Sequence, residues 1–247
     1  MSVSAGDPLI PSAAELRAAG VGGGDYVEVG DRFLEYFTTL ASLTRHDAVL
    51  EIGCGIGRMV RPLAAWLQPP GRYEGFDVVR DSVEWCQTHI TPAHPHFRFQ
   101  LVDIANSFYN PRGRMRGKDA RFPFDDATFD VAIAASLFTH VLPDTACRYM
   151  TEAARVLKPG GRLFATWFLW PSAGVPTDVA LKEFPHARAG CRVASRRKPE
   201  AVVSFSDVVV NEMYDAASLR VTALVRGSWT AGVHALPYQD MIVAIKE

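Results

Sequence analysis

The sequence predicts an α/β fold built on a mostly parallel sheet, and three observations carry that expectation. An apolar run, Val49 to Ile52, breaks into the alternating glycines Gly53, Gly55 and Gly57, the pattern of a buried strand that turns sharply and lets backbone approach a ligand. Strand-like and helix-like segments then alternate from Ala48 onwards, which implies right-handed crossovers between parallel strands. Phe129 to Ala134 is nearly all apolar, as expected for a strand covered on both faces.

Each element has its own signal. Ser12-Ala13-Ala14-Glu15 has the form of a capping box, in which the serine hydroxyl and glutamate carboxylate each take a free backbone N–H. A short helix follows to about Ala19, stopped by Gly20. Beyond Gly22-Gly23-Gly24, apolar Phe33, Leu34, Phe37, Leu40 and Leu43 recur at helical spacing, so residues 1–45 read as an N-terminal helical cap. Ala48 to Ile52 is the first strand, and a helix from Gly57 to Leu67 carries Val60, Leu63, Ala64 and Leu67 on one side until Pro69-Pro70-Gly71 ends it. Tyr73 to Phe76 is the second strand, Ser82 to Ile90 a helix, Phe97 to Val102 the third strand and Phe129 to Ala134 the fourth.

Thr145 to Leu157 is helical, with Asp144 near the positive end of its dipole and Lys158-Pro159-Gly160-Gly161 as its terminator. Leu163 to Phe168 is a fifth strand, and Ser218 to Arg226 with Gln239 to Ile245 form a closing pair. Residues 171–204, between the fifth strand and the last helix, show no clear periodicity, and their length marks an insertion or lid. The 247 residues suffice for one domain with its own core.

Composition narrows the function. With 26 basic against 27 acidic side chains, no global field recruits nucleic acid or an anionic membrane. No segment has the apolar length to span a bilayer, and Met1 to Ile10 lacks the basic flank and apolar stretch of a secretory signal, so the expected location is the cytoplasm. Cys54, Cys86, Cys147 and Cys191 are widely spaced with no Cys-x-x-Cys pair, and His94 and His96 stand in a loop without further ligands, so no metal is expected.

Strand ends identify the ligand class. A dinucleotide fingerprint needs Gly-x-Gly-x-x-Gly, but the third glycine would fall on Arg58 counting from Gly53 and on Val60 counting from Gly55. Asp77 closes the second strand, where an acid can accept from both hydroxyls of a ribose, and Asp103 ends the third, where it can accept from an adenine amino group. Three such positions at successive strand ends point to a nucleoside.

The ordered set Glu51-x-Gly53-Cys54-Gly55-x-Gly57, the Gly75-Phe76-Asp77 turn, Asp103, the Phe129-Asp130-Val131-Ala132 strand and Arg155-Val156-Leu157-Lys158-Pro159-Gly160-Gly161 resembles the class I methyltransferases that use S-adenosyl-L-methionine. The resemblance covers about Tyr26 to Glu247 and implies a Rossmann-like seven-stranded sheet in the order 3-2-1-4-5-7-6, strand 7 antiparallel, with helices on both faces. It assigns Glu51, Gly53 and Gly55 to the methionine end of the cofactor, Asp77 to the ribose, Asp103 to the adenine and Ser136 to a place beside the cofactor, with Cys54, Gly57, Arg58, Val78 and Ile104 also among the cofactor-binding residues. Phe122-Pro123-Phe124-Asp125-Asp126 and Ser136-Leu137-Phe138-Thr139-His140 are similar to bacterial methyltransferases of small molecules, including glycans and secondary metabolites. The Asn-Pro-Pro-Tyr type motif of enzymes that methylate nucleobase amines has no counterpart after strand four, where the chain reads Ala-Ala-Ser-Leu-Phe.

Methyl transfer from a sulfonium is an in-line displacement in which the protein chiefly aligns the nucleophile and excludes water. A base is needed where a hydroxyl acceptor must lose its proton. His140, just after strand four, is the leading candidate, with Asp144, Tyr109 and His234 behind it. Tyr26, Phe108, Phe138, Trp167, Trp170 and Trp229 are candidate walls for an apolar acceptor, and the basic runs Arg112 to Arg121 and Arg188 to Lys198 candidate anion holders. The expected activity is transfer of a methyl to a small-molecule acceptor, most readily at oxygen. Alternatives are N- or C-methylation, a non-catalytic nucleoside-binding protein and, weakened by the glycine spacing, a nicotinamide oxidoreductase.

Overall fold

Both bonds of the capping box at Ser12 are made: its N–H donates to Glu15 Oε2 at 2.7 Å and its Oγ accepts from Glu15 N at 3.3 Å. In the computed structural model that reveals this, residues 7–171, 178–231 and 235–247 are described. The chain divides into two compact units, Met1–Val102 and Asp103–Glu247.

The first unit opens with α1 (Ala13–Ala18) and α2 (Tyr26–Thr39). Asp25 caps α2, its Oδ1 accepting from Val27 N at 2.9 Å and Glu28 N at 2.8 Å, an exchange that replaces water at the free helix end. Tyr26, Val29, Phe33 and Phe37 are its buried stripe. Then come β1 (Ala48–Ile52), α3 (Val60–Trp66), β2 (Arg72–Asp77), α4 (Arg80–His89) and β3 (Phe97–Leu101). Every residue of β1 is buried, and β1, β2 and β3 pair in parallel with Glu51 opposite Gly75 and Gly75 opposite Phe99.

The second unit begins with the short parallel pair β4 (Ile104–Ala105) and β5 (Met115–Arg116), followed by β6 (Phe129–Ala134), α5 (Pro143–Val156) and β7 (Leu157–Trp167). Lys158–Gly161 do not form a free turn, as the sequence implies. They lie inside β7 as a bulge, because the register with β6 jumps from Phe129↔Leu157 to Val131↔Arg162 while pairing resumes on both flanks.

Residues 178–204 hold more regular structure than their lack of periodicity suggests. β8 (Leu169–Trp170), α6 (Asp178–Glu183), β9 (His186–Arg188), β10 (Cys191–Val193) and β11 (Val203–Ser206) contribute a second sheet ordered β8-β11-β10-β9. Strands this short are too brief to display a period of two. Phe168, Ala180, Phe184 and Trp229 pack as its apolar anchor, and Arg192 donates to Phe184 O at 2.7 Å and Pro185 O at 3.0 Å.

After α7 (Asp207–Ala216), β12 (Leu219–Val225) and β13 (Asp240–Lys246) form the closing antiparallel pair. The main sheet runs β12-β13-β7-β6-β1-β2-β3, and β13 is antiparallel to β7. Numbered along the chain, that is the expected 3-2-1-4-5-7-6 with the last strand reversed. No helix among the described residues is long and apolar enough to cross a membrane.

Candidate functional site

In the first unit the glycine loop is held from below. Gly53 N and Cys54 N both donate to Phe76 O, at 2.9 and 3.0 Å, and Gly53, Gly55 and Gly57 have φ of 80°, 51° and 85°. That left-handed backbone favours glycine. A Cβ on Gly55 would meet nothing within 4 Å, whereas one on Gly57 would stand 3.0 Å from Ile90 Cδ1. The loop is therefore tight on its protein side at Gly57 and open at Gly55.

Asp77, half-buried at the end of β2, is tied to that loop. Its Oδ2 accepts from Gly55 N at 2.8 Å and its Oδ1 from Val79 N at 2.9 Å. Burial pushes its carboxyl above the ordinary value, against the backbone N–H groups of Val79, Gly55 and Val78, which favour the anion. A carboxylate offers about four acceptor positions, so capacity remains for a ligand hydroxyl.

Glu51 lies beneath the loop, 2 % exposed, and accepts from the Tyr73 hydroxyl at 2.5 Å. Burial raises its carboxyl to about 8, the neighbouring Asp77 adds to the rise, and the Tyr73 bond opposes it. Gly75 makes room for this pair, since a Cβ there would lie 2.8 Å from Tyr73 Oη and 2.9 Å from Cys54 Cβ. Cys54 is itself buried. Arg58 turns to the N-terminal segment, donating to Gly22 O at 2.7 Å with its guanidinium 5.9 Å from the Tyr26 ring centre, and Tyr26 Oη donates to Ile56 O at 3.1 Å. α2 thus braces the loop from outside.

The second unit carries the other candidates. Asp103 is exposed and lies 3.4 Å from Asn110 Nδ2 and 3.6 Å from Arg114 Nε, while Ile104 is buried. Ser136 has φ 58°, an uncommon state for a residue with a side chain. It is held there by Thr166 and Gln239: its N–H donates to Thr166 Oγ1 at 2.6 Å, and its hydroxyl and that of Thr166 both donate to Gln239 Oε1, at 3.1 and 2.5 Å. Backbone strain of this kind collects at functional sites.

His140 is half-buried in a short turn, Phe138–His140, with Nδ1 3.3 Å from Glu200 O and the Tyr109 ring edge-on at 5.3 Å. A carbonyl only accepts, so Nδ1 carries the proton and Nε2 keeps its lone pair. Burial holds the imidazole below its ordinary value, against the carbonyls of Glu200 and Ala201. The side chain is thereby neutral near pH 7, in the tautomer of a base that works through Nε2.

Several other expectations meet a different environment. Phe138 and Trp167 are fully buried, stacked at 4.2 Å, and Trp167 Nε1 donates to Tyr214 Oη at 3.3 Å, so they belong to the core and do not wall an acceptor. Trp229 is likewise buried, its indole N–H donating to Asp240 at 2.7 Å. Phe108 is exposed, under Lys198 at 5.5 Å. Asp144 is exposed on the first turn of α5, and His234 lies outside the described residues. Asn106, Thr166, Glu200 and Gln239 had no role in the sequence reading. Only Asn106, which accepts Phe108 N and Tyr109 N at 2.9 Å as the head of a local turn, had a local signal. Among the described residues no cluster of histidine, cysteine or acidic side chains could hold a metal.

Comparison with known proteins bears on the family and the fold. Residues 49–161 match the family model described as a methyltransferase domain. The chain is 34 % identical over 49 % of its length to a demethylmenaquinone methyltransferase of Lactiplantibacillus plantarum, covering 45 % of that protein. It is 29 % identical over 87 % of its length to methyltransferase GfsG of Streptomyces halstedii, covering 69 % of it. The chain spans about half the length of the first curated relatives it matches. A crystal structure of a SAM-dependent methyltransferase from Methanosarcina mazei superposes with TM-score 0.58 at 18 % identity, over 83 % of this chain and 94 % of the other, a likeness of fold.

Proposed function

We propose, from the premise that this chain carries a class I methyltransferase domain at residues 49–161, that it moves a methyl group from S-adenosyl-L-methionine to a small-molecule acceptor in the cytoplasm, at oxygen, during synthesis of a secondary metabolite or glycan. Nucleic acid and membranes are not its partners in this reading. The observation that carries the donor is the glycine loop locked onto Asp77 through Gly55 N.

The cofactor, when bound, supplies an activated methyl on a positively charged sulfur. Asp77 and Val78 take the ribose side, and the open face of Gly55, with Gly53, Cys54, Gly57 and Arg58 around it, takes the methionine side. Glu51, whose carboxyl burial raises to about 8, would ionise beside the cationic end of the cofactor and there supply a counter-charge. On the family resemblance, Asp103 and Ile104 serve the adenine and Ser136 the methyl side. Support for oxygen as the methylated atom is His140: a neutral imidazole whose Nε2 is free to accept the hydroxyl proton of the acceptor.

Calorimetric titration with S-adenosylhomocysteine tests the donor half. The wild type should bind, and Asp77→Ala should lose about 10- to 100-fold in affinity, the worth of one hydrogen bond to a charged group. A wild type that does not bind would end the reading.

A further inference from the structure

Three hydrogen bonds close a circuit around His140 within the second unit. Its Nδ1–H faces Glu200 O at 3.3 Å. The Glu200 carboxylate accepts from Ser107 N at 2.5 Å, and Asn106, the neighbour of Ser107, donates from Nδ2 to His140 O at 2.8 Å. The two segments that grip the histidine are stiff in themselves. Asn106 and Asn110 exchange both backbone bonds at 3.0 Å, Asn106 Oδ1 caps Phe108 and Tyr109, and Pro199–Ala201 is a turn of 3-10 helix closed by Ala201 N to Lys198 O at 3.0 Å.

Glu200 is 9 % exposed, an acid inside an insertion otherwise rich in surface charge. A buried carboxylate is costly unless its partners compensate, yet among the described residues its partner is a single backbone N–H on the turn that also carries Tyr109. Its place is explained by what it connects. We propose that Glu200 is a positioning residue for His140: its carboxylate locks the Asn106–Asn110 turn, so that its own main-chain carbonyl fixes the imidazole in the tautomer whose Nε2 carries the lone pair for proton transfer. Asn106 is the second clamp, acting on the histidine backbone. The insertion thereby becomes part of the acceptor-side machinery. This rests on the reading of His140 as the base, though the geometry it asserts is measurable without an acceptor.

The ionisable groups on the elements packed around His140 are few. Among the described residues, the 3-10 turn brings the Glu200 carboxylate, the Asn106 turn brings Tyr109, β11 brings none, and β7, whose last residue Trp167 stacks on Phe138, carries Lys158 and Arg162 towards its other end. The imidazole is therefore governed by burial and by the carbonyls it faces.

The test uses the full chain labelled with 15N-histidine, His140 being assigned by the signal missing from His140→Gln. Long-range 1H–15N spectra should show a wild-type Nδ1–H tautomer titrating below the ordinary value. Glu200→Ala should mix the tautomers and move the midpoint up towards ~6.5, while Glu200→Gln, which keeps an acceptor oxygen, should largely restore the wild-type spectrum. Asn106→Asp, which keeps the turn caps but loses the Nδ2 donor, should also release the ring, and it serves if Glu200→Ala does not fold. Retained binding of S-adenosylhomocysteine shows that each variant keeps its cofactor half. A His140 tautomer and midpoint unchanged in Glu200→Ala, or in Asn106→Asp where the former does not fold, overturn the proposal. Failure of the base reading shows elsewhere, as undiminished methyl transfer by His140→Gln.

Discussion

Replacing Glu51 by glutamine separates the cost of the buried acid from its use. The side chain is enclosed beneath the glycine loop with the Tyr73 hydroxyl on one oxygen, and burial raises it from an ordinary 4.5 to about 8. A raised folded-state value means that the neutral acid suits the fold. Its stabilising contribution is complete below pH 4.5 and is lost as pH climbs to about 8. Each unit in that window is worth about 1.4 kcal/mol, so by pH 7 the wild type has forgone about 3 kcal/mol that a permanently neutral glutamine retains. Glu51→Gln should therefore gain on the wild type as pH rises, whatever constant offset its amide introduces. Urea unfolding followed by tryptophan fluorescence at closely spaced pH values gives the difference curve. Its gain in stability should come with weaker cofactor binding, because glutamine cannot supply a negative charge to a cationic ligand. A difference curve flat between pH 5 and 8 would refute the assignment of the raised carboxyl to this residue.

Three further substitutions test the scaffold. Gly57→Ala forces a Cβ onto a residue with φ 85°, 3.0 Å from Ile90 Cδ1 and 3.3 Å from Cys86 Sγ, and should cost about 1–3 kcal/mol in urea unfolding. Gly22→Ala, whose Cβ meets nothing within 4 Å, should be neutral or slightly stabilising. Asp240→Asn should lower the melting temperature and cost about 2–4 kcal/mol. The buried carboxylate accepts from Leu169 N and Trp229 Nε1 on one oxygen and Gly227 N on the other, and an amide leaves one side facing a donor.

The glycine loop and the carboxylate that returns to it were legible because they are set by local sequence. Gly53 to Gly57 and Asp77 declare themselves by residue type and by position at strand ends, and the first strand was read with its observed bounds, Ala48–Ile52. α2 starts at Tyr26 behind Asp25, an N-cap with Glu28 three residues on, a signal obscured by the preceding glycines. What escaped was held by distant partners. Glu200 meets Ser107 across a separation of 93 residues, and Gln239 meets Ser136 across 103, so neither pairing leaves a local mark. The small sheet of β8 to β11 escaped for another reason, since its strands of two to four residues are shorter than any period they could show.

That contrast bears on where acceptor specificity resides. A loop that binds one invariant cofactor can be written into a few adjacent residues, because glycine conformation and one returning carboxylate fix its shape. A group that must approach a variable acceptor needs orientation from parts of the chain free to differ, and on the proposed reading those parts are the Asn106–Asn110 turn and the 3-10 turn at Glu200. Both are anchored independently of the glycine loop: one by its own backbone bonds, the other by an insertion fastened through Phe168, Phe184 and Trp229 at ring separations of 5.3 to 5.8 Å. On the proposed reading of His140 as the base, exchange of exposed residues such as Phe108 and Lys198 on those turns should alter acceptor preference while Asn106, Glu200 and His140 keep the proton-accepting nitrogen in place.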